Sequence, residues 1–347
     1  MIFASDNWAG AHPLISESIT HYSTGFAPAY GSSALDQKVA RTFNEIFERE
    51  VAVFFVATGT AANALALASV NRPGGVVFCH REAHVIEDEC GAPEWFTGGA
   101  RLHAIDGALG KMDPAGLQRG IDHFPADFVH AGQPMAVTVT QATEAGTLYS
   151  LGEIDAISAI AKRNGLPLHM DGARFANAMV SLGCTPAEMT WKRGVDILSF
   201  GGTKNGCWCA EALVFMNPDD AKQAPFLRKR AAQLFSKSRF IAAQFEAYFE
   251  NNLWLELARH SNAAASELAT HIRNSKSMHL AWEPQANEVF AWLKKSDSDR
   301  LRAAGAVFYD WHGPASQARP HAGEVMVRMV TSFATDSAAV KQFAELL

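Results

Sequence analysis

The sequence lacks the features typical of membrane, secreted and nucleic-acid-binding proteins. Lys and Arg number 30 among 347 residues and Asp and Glu number 36, so the formal charge is −6. Because no segment is rich in Lys and Arg, no basic surface is available for phosphates, and we expect no nucleic-acid partner. No apolar run approaches the roughly 20 residues that span a bilayer, so we expect no membrane contact. The first residues contain no basic segment followed by an apolar one, so we expect no signal peptide.

Cysteine is also scarce, with five residues scattered through the chain. An odd number of cysteines argues against a disulfide framework and predicts a reducing, cytoplasmic compartment. Cys207 and Cys209 are too close together for an ordinary zinc knuckle, and no second Cys or His pair completes such a site, so we expect no metal. What the chain does have is a hydrophobic content of 48%, enough for a large core, and a length that suggests two domains.

Short apolar runs separated by helical patterns recur up to residue 218. This alternation predicts the α/β class, with a mainly parallel central sheet and helices on both faces. The predicted strands lie near residues 51–56, 76–79, 102–105, 136–140, 166–170, 197–200 and 212–215. The helical patterns that separate many of them include those near residues 113–122, 151–164 and 174–182.

The pattern changes after Pro218. We predict long helices over residues 219–250 and 253–274, four half-buried antiparallel strands beyond residue 275 and a last helix from about residue 337. The predicted strands lie over residues 279–282, 288–293, 306–311 and 325–330. We therefore divide the chain into an N-terminal segment (1–20), a large α/β domain with a bridging helix (21–250) and a small α+β C-terminal domain (251–347).

Two candidate ligand-binding positions directly follow predicted strands. Gly59 and Thr60 open a helix, where free N–H groups, the helix dipole and a hydroxyl could bind a phosphate or carboxylate, although such a turn is also common without a ligand. Asp171 ends the strand over 166–170, at the edge where α/β proteins bind ligands, with Arg174 beginning the next helix. Asp171 could equally be a helix cap, and Arg174 a solvated side chain.

The third candidate is Lys204, which is flanked by Gly201, Gly202 and Gly206. A desolvated lysine has a lowered pKa and can form an imine with a carbonyl compound, whereas an ordinary turn lysine would be solvated. The fourth is the segment that follows the strand over 76–79, with His80 and His84 four residues apart. They could bind a metal, but a histidine stacked on a planar ligand fits this position better.

The order of these candidates along the chain is more specific than any one of them. A phosphate turn comes first, then a histidine, an aspartate and a lysine, each after a strand. This is the order of pyridoxal-phosphate enzymes of the aspartate-aminotransferase type. Each group has a physical task there: the turn binds the phosphate, the carboxylate keeps the pyridine nitrogen protonated, the lysine binds the aldehyde and the flat ring stacks on the cofactor.

Seven short motifs narrow this class. They are Phe3-Ala-Ser-Asp-Asn7, Ala29-Tyr-Gly31, Thr58-Gly-Thr-Ala-Ala-Asn63, Ala83-His84 with Asp88-Glu-Cys-Gly-Ala-Pro-Glu94, Thr140-Gln-Ala-Thr-Glu-Ala-Gly146, His169-Met-Asp-Gly-Ala-Arg-Phe175 and Ser199–Gly206. Through them the sequence resembles the low-specificity L-threonine aldolases over essentially its whole length. The resemblance implies the pyridoxal-phosphate-dependent cleavage of L-threonine, L-allo-threonine and other L-3-hydroxy-α-amino acids to glycine and an aldehyde, with phenylserine as a candidate substrate.

The resemblance also implies roles for individual residues. For the cofactor, Lys204 would form the imine, Asp171 would bind the pyridine nitrogen and His84 would stack on the ring. Gly59 and Thr60 would bind the phosphate, and Lys229 would reach the phosphate of a neighbouring subunit. The roles for the substrate are the carboxylate for Ser5, Arg174 and Arg328, a place near the substrate mouth for Tyr30, and a place near the substrate hydroxyl for His130.

Several questions stay open from the sequence. The base that acts on the β-hydroxyl is His84, directly or through water, or His130. The alternative functions are another pyridoxal-phosphate enzyme, either a β-eliminating lyase or an aminotransferase, and a non-catalytic binding protein of the same fold. We expect a homo-oligomer, either a dimer or a tetramer of two dimers, because sites in this class usually lie at a dimer interface.

Overall fold

The computed structural model describes residues 1–313 and 323–347, and its larger part is built on a seven-stranded sheet. The strands are β1 (Ala52–Val56), β2 (Gly75–His80), β3 (Arg101–Ile105), β4 (Gln133–Thr140), β5 (Leu168–Gly172), β6 (Ile197–Gly201) and β7 (Glu211–Phe215). Their order is β1-β7-β6-β5-β4-β2-β3. The pairs among β2 to β6 are parallel, and β7 is antiparallel to both β1 and β6. The predicted mainly parallel sheet is confirmed.

Helices cover both faces of this sheet. Neighbouring residues of a strand point to opposite faces, and Phe55 and Val56 accordingly belong to two different apolar clusters. The helices of this part are α1 (Pro13–His21), α2 (Ala34–Ile46), α3 (Gly59–Ser69), α4 (His84–Glu87), α5 (Ala92–Thr97), α6 (Pro114–Asp122), α7 (Leu151–Arg163), α8 (Phe175–Leu182), α9 (Pro186–Met189), α10 (Ala224–Arg230) and α11 (Arg239–Phe249).

The C-terminal part is built on an antiparallel four-stranded sheet. Its strands are β8 (Met278–Leu280), β9 (Glu288–Lys294), β10 (Tyr309–Trp311) and β11 (Glu324–Val330), in the order β10-β11-β9-β8. Its helices are α12 (Leu253–Arg273), α13 (Lys295–Ala303) and α14 (Ser337–Ala344). The start of the chain joins this part, since the N–H of Phe3 donates to the carbonyl of Val307 at 2.8 Å and its ring packs against Phe343. The proposed domain boundaries stay a prediction.

The prediction of one long helix over residues 219–250 is wrong. A short 3-10 turn, α10 and α11 occupy this range, and Ala232 between the two helices has a left-handed φ of 58°. The residues between the helices bind other segments, which competes with a continuous helix. The Gln233 side chain accepts the N–H of Ala57 at 3.0 Å, and the carbonyl of Ser236 accepts the N–H of Tyr30 at 3.0 Å. In contrast, α12 confirms the helix predicted over 253–274.

In the described ranges, none of the helices combines the length and the apolar character that crossing a bilayer requires.

Candidate active site

A cavity of about 270 Å³ lies at the edge of the large sheet where its parallel strands end. Five predicted site residues line it, namely Gly59, Thr60, His84, Asp171 and Lys204. The complete lining is Asn7, Ala57, Thr58, Gly59, Thr60, Asn63, His84, Glu144, Asp171, Ala173, Thr203, Lys204 and Glu211. The structure therefore brings together the phosphate turn, the histidine, the aspartate and the lysine that the sequence places after separate strands.

The N-terminus of α3 forms one wall of the cavity. Thr58 caps the helix, because its hydroxyl accepts the N–H of Ala61 at 3.2 Å. The first amides of a helix have no partner within it, and the dipole of this 11-residue helix points its positive end at the same place. With the Thr60 hydroxyl beside them, these groups can bind an anion such as a phosphate.

Lys204 lies half-buried in the 3-10 turn Thr203–Asn205 that follows β6. Two glycines let the backbone pass close to its neighbours here. A Cβ at Gly201 would lie 2.4 Å from the carbonyl oxygen of Ala173, and a Cβ at Gly202 would lie 2.7 Å from that of Ala210. Since Ala173 follows Asp171 by two residues, this close approach brings the lysine turn and the aspartate strand to the same cavity.

A chain of hydrogen bonds links Asp171 to His84. The Asn63 side-chain amide donates to Asp171 Oδ2 and to Glu89 Oε1, both at 2.8 Å. Glu89 Oε1 also accepts from His84 Nδ1 at 2.9 Å, and Asp171 Oδ1 accepts the N–H of Ala173 at 3.0 Å. The hydrogen bond that His84 donates to Glu89 raises the pKa of His84, and burial raises the pKa of Glu89. This arrangement fixes both the carboxylate and the ring, and leaves Nε2 as the ring nitrogen that does not bond to Glu89.

A second histidine lies beneath this chain on β5. His169 is fully buried, with Nδ1 2.8 Å from the Thr138 hydroxyl and Nε2 2.9 Å from the Ser199 hydroxyl. Burial lowers its pKa to about 4. His169 is therefore neutral near pH 7 and ties β5, which carries Asp171, to both neighbouring strands.

Glu211 is a buried acid in the cavity wall. It begins β7, where it lies opposite Val56 of β1 and Gly201 of β6. The N–H of Thr203 donates to its carboxylate at 3.3 Å, and burial raises the pKa of Glu211 to about 7. The cavity thus contains an acid that binds or releases a proton near neutral pH, on the strand next to the lysine turn.

The two predicted substrate arginines meet beside the cavity around buried carboxylates. Arg174 donates through Nε and Nη2 to Asp6 at 2.7 and 3.1 Å, and its Nη1 lies 3.3 Å from Glu288. Arg328 Nη1 lies 3.9 Å from the other oxygen of Glu288, and its guanidinium lies 4.2 Å from the centre of the Trp311 ring. Arg174 is buried, so the alternative of a solvated side chain is wrong.

This cluster borders the cavity directly. Asp6 and Arg174 are neighbours in sequence of Asn7 and Ala173, which line the cavity. Ser5 lies at the start of the same turn, where its hydroxyl accepts the N–H of Asn7 at 3.1 Å. Arg174 is therefore next in sequence to the cavity wall, and Arg328 is connected to it through Glu288.

Three further predicted residues neither line the cavity nor belong to the arginine cluster beside it. His130 is exposed in the loop before β4, at the opposite end of that strand from Thr140, and its ring packs against Phe128. Lys229 is exposed on α10, with its Nζ 5.5 Å from the centre of the half-exposed Tyr30 ring. The roles of His130, Lys229 and Tyr30 stay predictions.

The sequence reasoning gave no role to several buried polar residues of the site. Asn63 and Glu89 belong to two of the family motifs, but the sequence does not show which buried groups they bind. Glu211 and Glu288 each begin an apolar strand, and an acid at the start of such a strand was the available signal. Among the described residues, these buried polar groups are Asp6, Asn63, Glu89, Glu211, Asn287 and Glu288.

Comparison with known proteins agrees with this geometry. The family model of the beta-eliminating lyases matches residues 3–296. This chain belongs to that family. It is 41% identical to a low specificity L-threonine aldolase of Pseudomonas aeruginosa, over 99% of this chain and 95% of the relative. A protein of the same name from Pseudomonas sp. is 39% identical with the same coverage.

The fold has a close match among solved structures. A threonine aldolase of Leishmania major is 29% identical and superposes with a TM-score of 0.91, over 99% of this chain and 98% of that chain. The resemblance to the threonine aldolases, the predicted α/β fold and the prediction of a lyase are confirmed.

Proposed function

We propose that this protein is a pyridoxal-phosphate-dependent aldolase. It cleaves the Cα–Cβ bond of L-threonine, L-allo-threonine and other L-3-hydroxy-α-amino acids to give glycine and an aldehyde. The observation that carries the proposal is the meeting of Lys204, Asp171 and the N-terminus of α3 around one cavity. The names of the two Pseudomonas relatives support the choice of reaction within the family.

The residues of the cavity fit pyridoxal phosphate by their chemistry. The amides of Gly59 and Thr60 suit the phosphate, Asp171 suits the pyridine nitrogen, Lys204 suits the aldehyde and the His84 ring suits a flat neighbour. When bound, pyridoxal phosphate supplies an aldehyde for covalent attachment and a protonated ring that accepts the electron pair of the breaking bond.

The protein's own side chains orient the substrate and remove the proton of its β-hydroxyl. Arg174, Arg328 and Ser5 bind the amino-acid carboxylate and so fix the direction of the Cα–Cβ bond. A base removes the proton of the β-hydroxyl as that bond breaks. His84 can do so at Nε2, directly or through water, because Glu89 holds Nδ1. His130 remains the second candidate.

We infer that the protein works as a homo-oligomer, a dimer or a tetramer of two dimers, in the cytoplasm. The placement of His130 and Lys229 supports an oligomer, because both are exposed and neither lines the cavity of its own chain. If they act in catalysis, they act in the cavity of a second copy.

The test is aldehyde release from L-threonine, L-allo-threonine and L-phenylserine by the purified protein loaded with pyridoxal phosphate. We expect Lys204→Ala to abolish both the release and the visible absorbance of the covalently bound cofactor. Lys222→Ala, which changes an exposed lysine near Asp219, should keep both. Unchanged absorbance in Lys204→Ala would contradict the assignment. Conversion of the cofactor to its amine form by an amino acid, with release of a keto acid and without aldehyde release, would identify an aminotransferase instead.

A further inference from the structure

Glu288 is the most deeply buried carboxylate beside the cavity, and its hydrogen-bonding capacity is unused. Its side chain has no exposed surface, and neither carboxylate oxygen has a hydrogen-bond partner among the described residues. Its neighbours are two cations, Arg174 Nη1 at 3.3 Å from Oε2 and Arg328 Nη1 at 3.9 Å from Oε1. A buried carboxylate normally accepts several hydrogen bonds, so these loose pairs point to a group whose ionic partners have another task.

The two arginines differ in how much of each is engaged. Asp6 takes Nε and Nη2 of Arg174 at 2.7 and 3.1 Å, and it also accepts from the Asn287 amide at 3.1 Å. Arg328 has a buried Nε that finds no hydrogen-bond partner within residues 1–313 and 323–347. Arg328 and Nη1 of Arg174 are therefore the donors available to a ligand carboxylate, and Glu288 is next to both.

Binding of a ligand carboxylate changes the net charge of the arginine–carboxylate cluster. The four groups in contact, Arg174 and Arg328 with Asp6 and Glu288, form a cluster that is neutral before substrate binds. Glu144 lies outside this cluster and acts on it as a further negative charge. An amino-acid carboxylate adds a third negative charge, and a buried charge without a partner is costly. Protonation of Glu288 restores neutrality and frees both arginine groups, whereas Asp6 keeps its two hydrogen bonds to Arg174.

We propose that Glu288 holds Arg174 and Arg328 in place before substrate binds and takes up a proton from solvent when the substrate carboxylate replaces it at the arginines. Glu288 is thus a positioning residue for substrate binding, and no covalent bond is made or broken in this step. The proposal rests on the proposed function, in which these arginines bind an amino-acid carboxylate.

The surroundings of Glu288 favour this proton uptake. Burial raises its pKa to about 6, against the lowering effect of Arg174 and Arg328. Glu144, from the loop after β4, and Asp6, from the N-terminal segment, also raise it. The same loop contributes the uncharged Gly146, where a Cβ would lie 2.9 Å from the Cβ of Glu288. When the arginines bind a substrate carboxylate instead, they lower the pKa of Glu288 less, and a larger fraction of Glu288 is protonated.

The test compares two amines that bind to the holoenzyme, glycine and 2-aminoethanol, which lacks the carboxylate. Affinities are measured from the absorbance change of the bound cofactor between about pH 5 and about pH 9. The ratio of the two affinities cancels the titration of the amine and of the cofactor. In the wild type, the relative affinity for glycine should fall by up to about tenfold for each pH unit above the pKa of Glu288.

Two variants make the comparison specific. Glu288→Gln keeps the shape and removes the titration, so the ratio should become independent of pH and glycine should bind more tightly at high pH. Glu283→Gln, which changes an exposed acid paired with Arg273, should retain the wild-type slope. A wild-type ratio that is independent of pH would overturn the proposal. Failure of glycine to bind at any pH, while 2-aminoethanol binds, would instead contradict the proposed function.

If Glu288→Gln does not fold, the wild type alone decides. Calorimetry of glycine binding in two buffers of different ionisation enthalpy counts the protons taken up. Subtracting the proton count for 2-aminoethanol gives the number of protons taken up because of the carboxylate. Near pH 7, an uptake of about one proton supports the role of Glu288, and an uptake of about zero overturns it.

Discussion

The two halves of the candidate site are built differently. The cofactor half consists of Asp171, Asn63, Glu89 and His84, which are joined by hydrogen bonds of 2.8–2.9 Å at one edge of one sheet. The substrate half consists of Asp6, Arg174, Glu288 and Arg328. It draws on four distant segments and two sheets, and its ion pairs to Glu288 are 3.3 and 3.9 Å long.

The difference matches the ligands proposed for each half. A cofactor that stays bound is served by groups already fixed by their neighbours, because preorganised groups need no rearrangement during the reaction. A substrate that enters and leaves needs groups that can exchange partners. Loosely paired arginines beside a carboxylate that can be neutralised provide this, at the cost of burying charges. Substitutions in the first half should therefore affect turnover, and those in the second half should affect binding.

The largest expected effect comes from Asp171 in the cofactor half. We expect Asp171→Ala to lower the turnover number about a thousandfold, because the pyridine ring loses the carboxylate that keeps it protonated. KM for L-threonine should change little, since the substrate half is intact. Asp122→Ala, which changes an exposed aspartate of α6, is the control. Steady-state kinetics with saturating cofactor tests this, and near-wild-type turnover would exclude the proposed role of Asp171.

A smaller effect, on binding, is expected from Arg328 in the substrate half. Arg328→Ala removes a charge-assisted contact to the substrate carboxylate, so KM should rise about tenfold to a hundredfold. The turnover number and the absorbance of the bound cofactor should change less than KM. Arg300→Ala on α13, where the arginine is exposed beside Asp297, should leave KM unchanged. The division into two halves fails if Arg328→Ala lowers turnover and leaves KM as it was.

Glu89→Gln should have a more modest effect, on the pH profile. Turnover should fall about tenfold, as for a residue that orients another. The hydrogen bond that His84 donates to Glu89 raises the pKa of His84, so the variant should lower that pKa. If His84 is the base, it then stays unprotonated to lower pH. The acidic limb of the plot of turnover number against pH should therefore shift to lower pH. The limb would stay in place in Glu89→Gln and change in His130→Phe if His130 were the base.

Local patterns in the sequence indicated Asp171 and His84 of the cofactor half, whereas Arg328 of the substrate half was implied only by the family resemblance. Strands end at a common edge in an α/β sheet, so Asp171 and Lys204 could be placed in one cavity from local patterns alone. The hydrogen bonds that join Asp171, Asn63, Glu89 and His84 depend on how α3, β5 and the segment around α4 pack together, which local patterns do not give. The predicted order of strands and helices up to β7 follows from the same local signals.

Glu288 shows why the rest escaped prediction. Its alternating strand was predicted, but its ionic partners Arg174 and Arg328 are contributed by the N-cap of α8 and by β11. Asp6, which also binds Arg174, comes from the N-terminal segment. No periodicity or spacing encodes how two sheets approach each other. The broken helix over 219–250 has a similar cause, because Gln233 and the Ser236 carbonyl bind residues remote in sequence.

The smallest expected effect on catalysis comes from His169, which holds the cofactor half from below, and its signal lies in stability. Burial lowers the pKa of His169 from its ordinary value of 6.5 to about 4, so between these values the unfolded chain binds a proton that the folded chain does not. Stability from this group is therefore complete above pH 6.5 and is lost as the pH falls toward 4, by about 3 kcal/mol. His169→Gln lacks this loss.

The wild-type advantage in free energy of unfolding over His169→Gln should accordingly shrink by about 3 kcal/mol on acidification, as measured by urea denaturation at a series of pH values. Glu211 works in the opposite direction, because its raised pKa makes the folded state gain stability as the pH falls. Since that contribution is common to both proteins, it cancels in the difference. An advantage that stays constant with pH would mean that His169 is not held neutral, and that the support beneath Asp171 is weaker than its buried hydrogen bonds indicate.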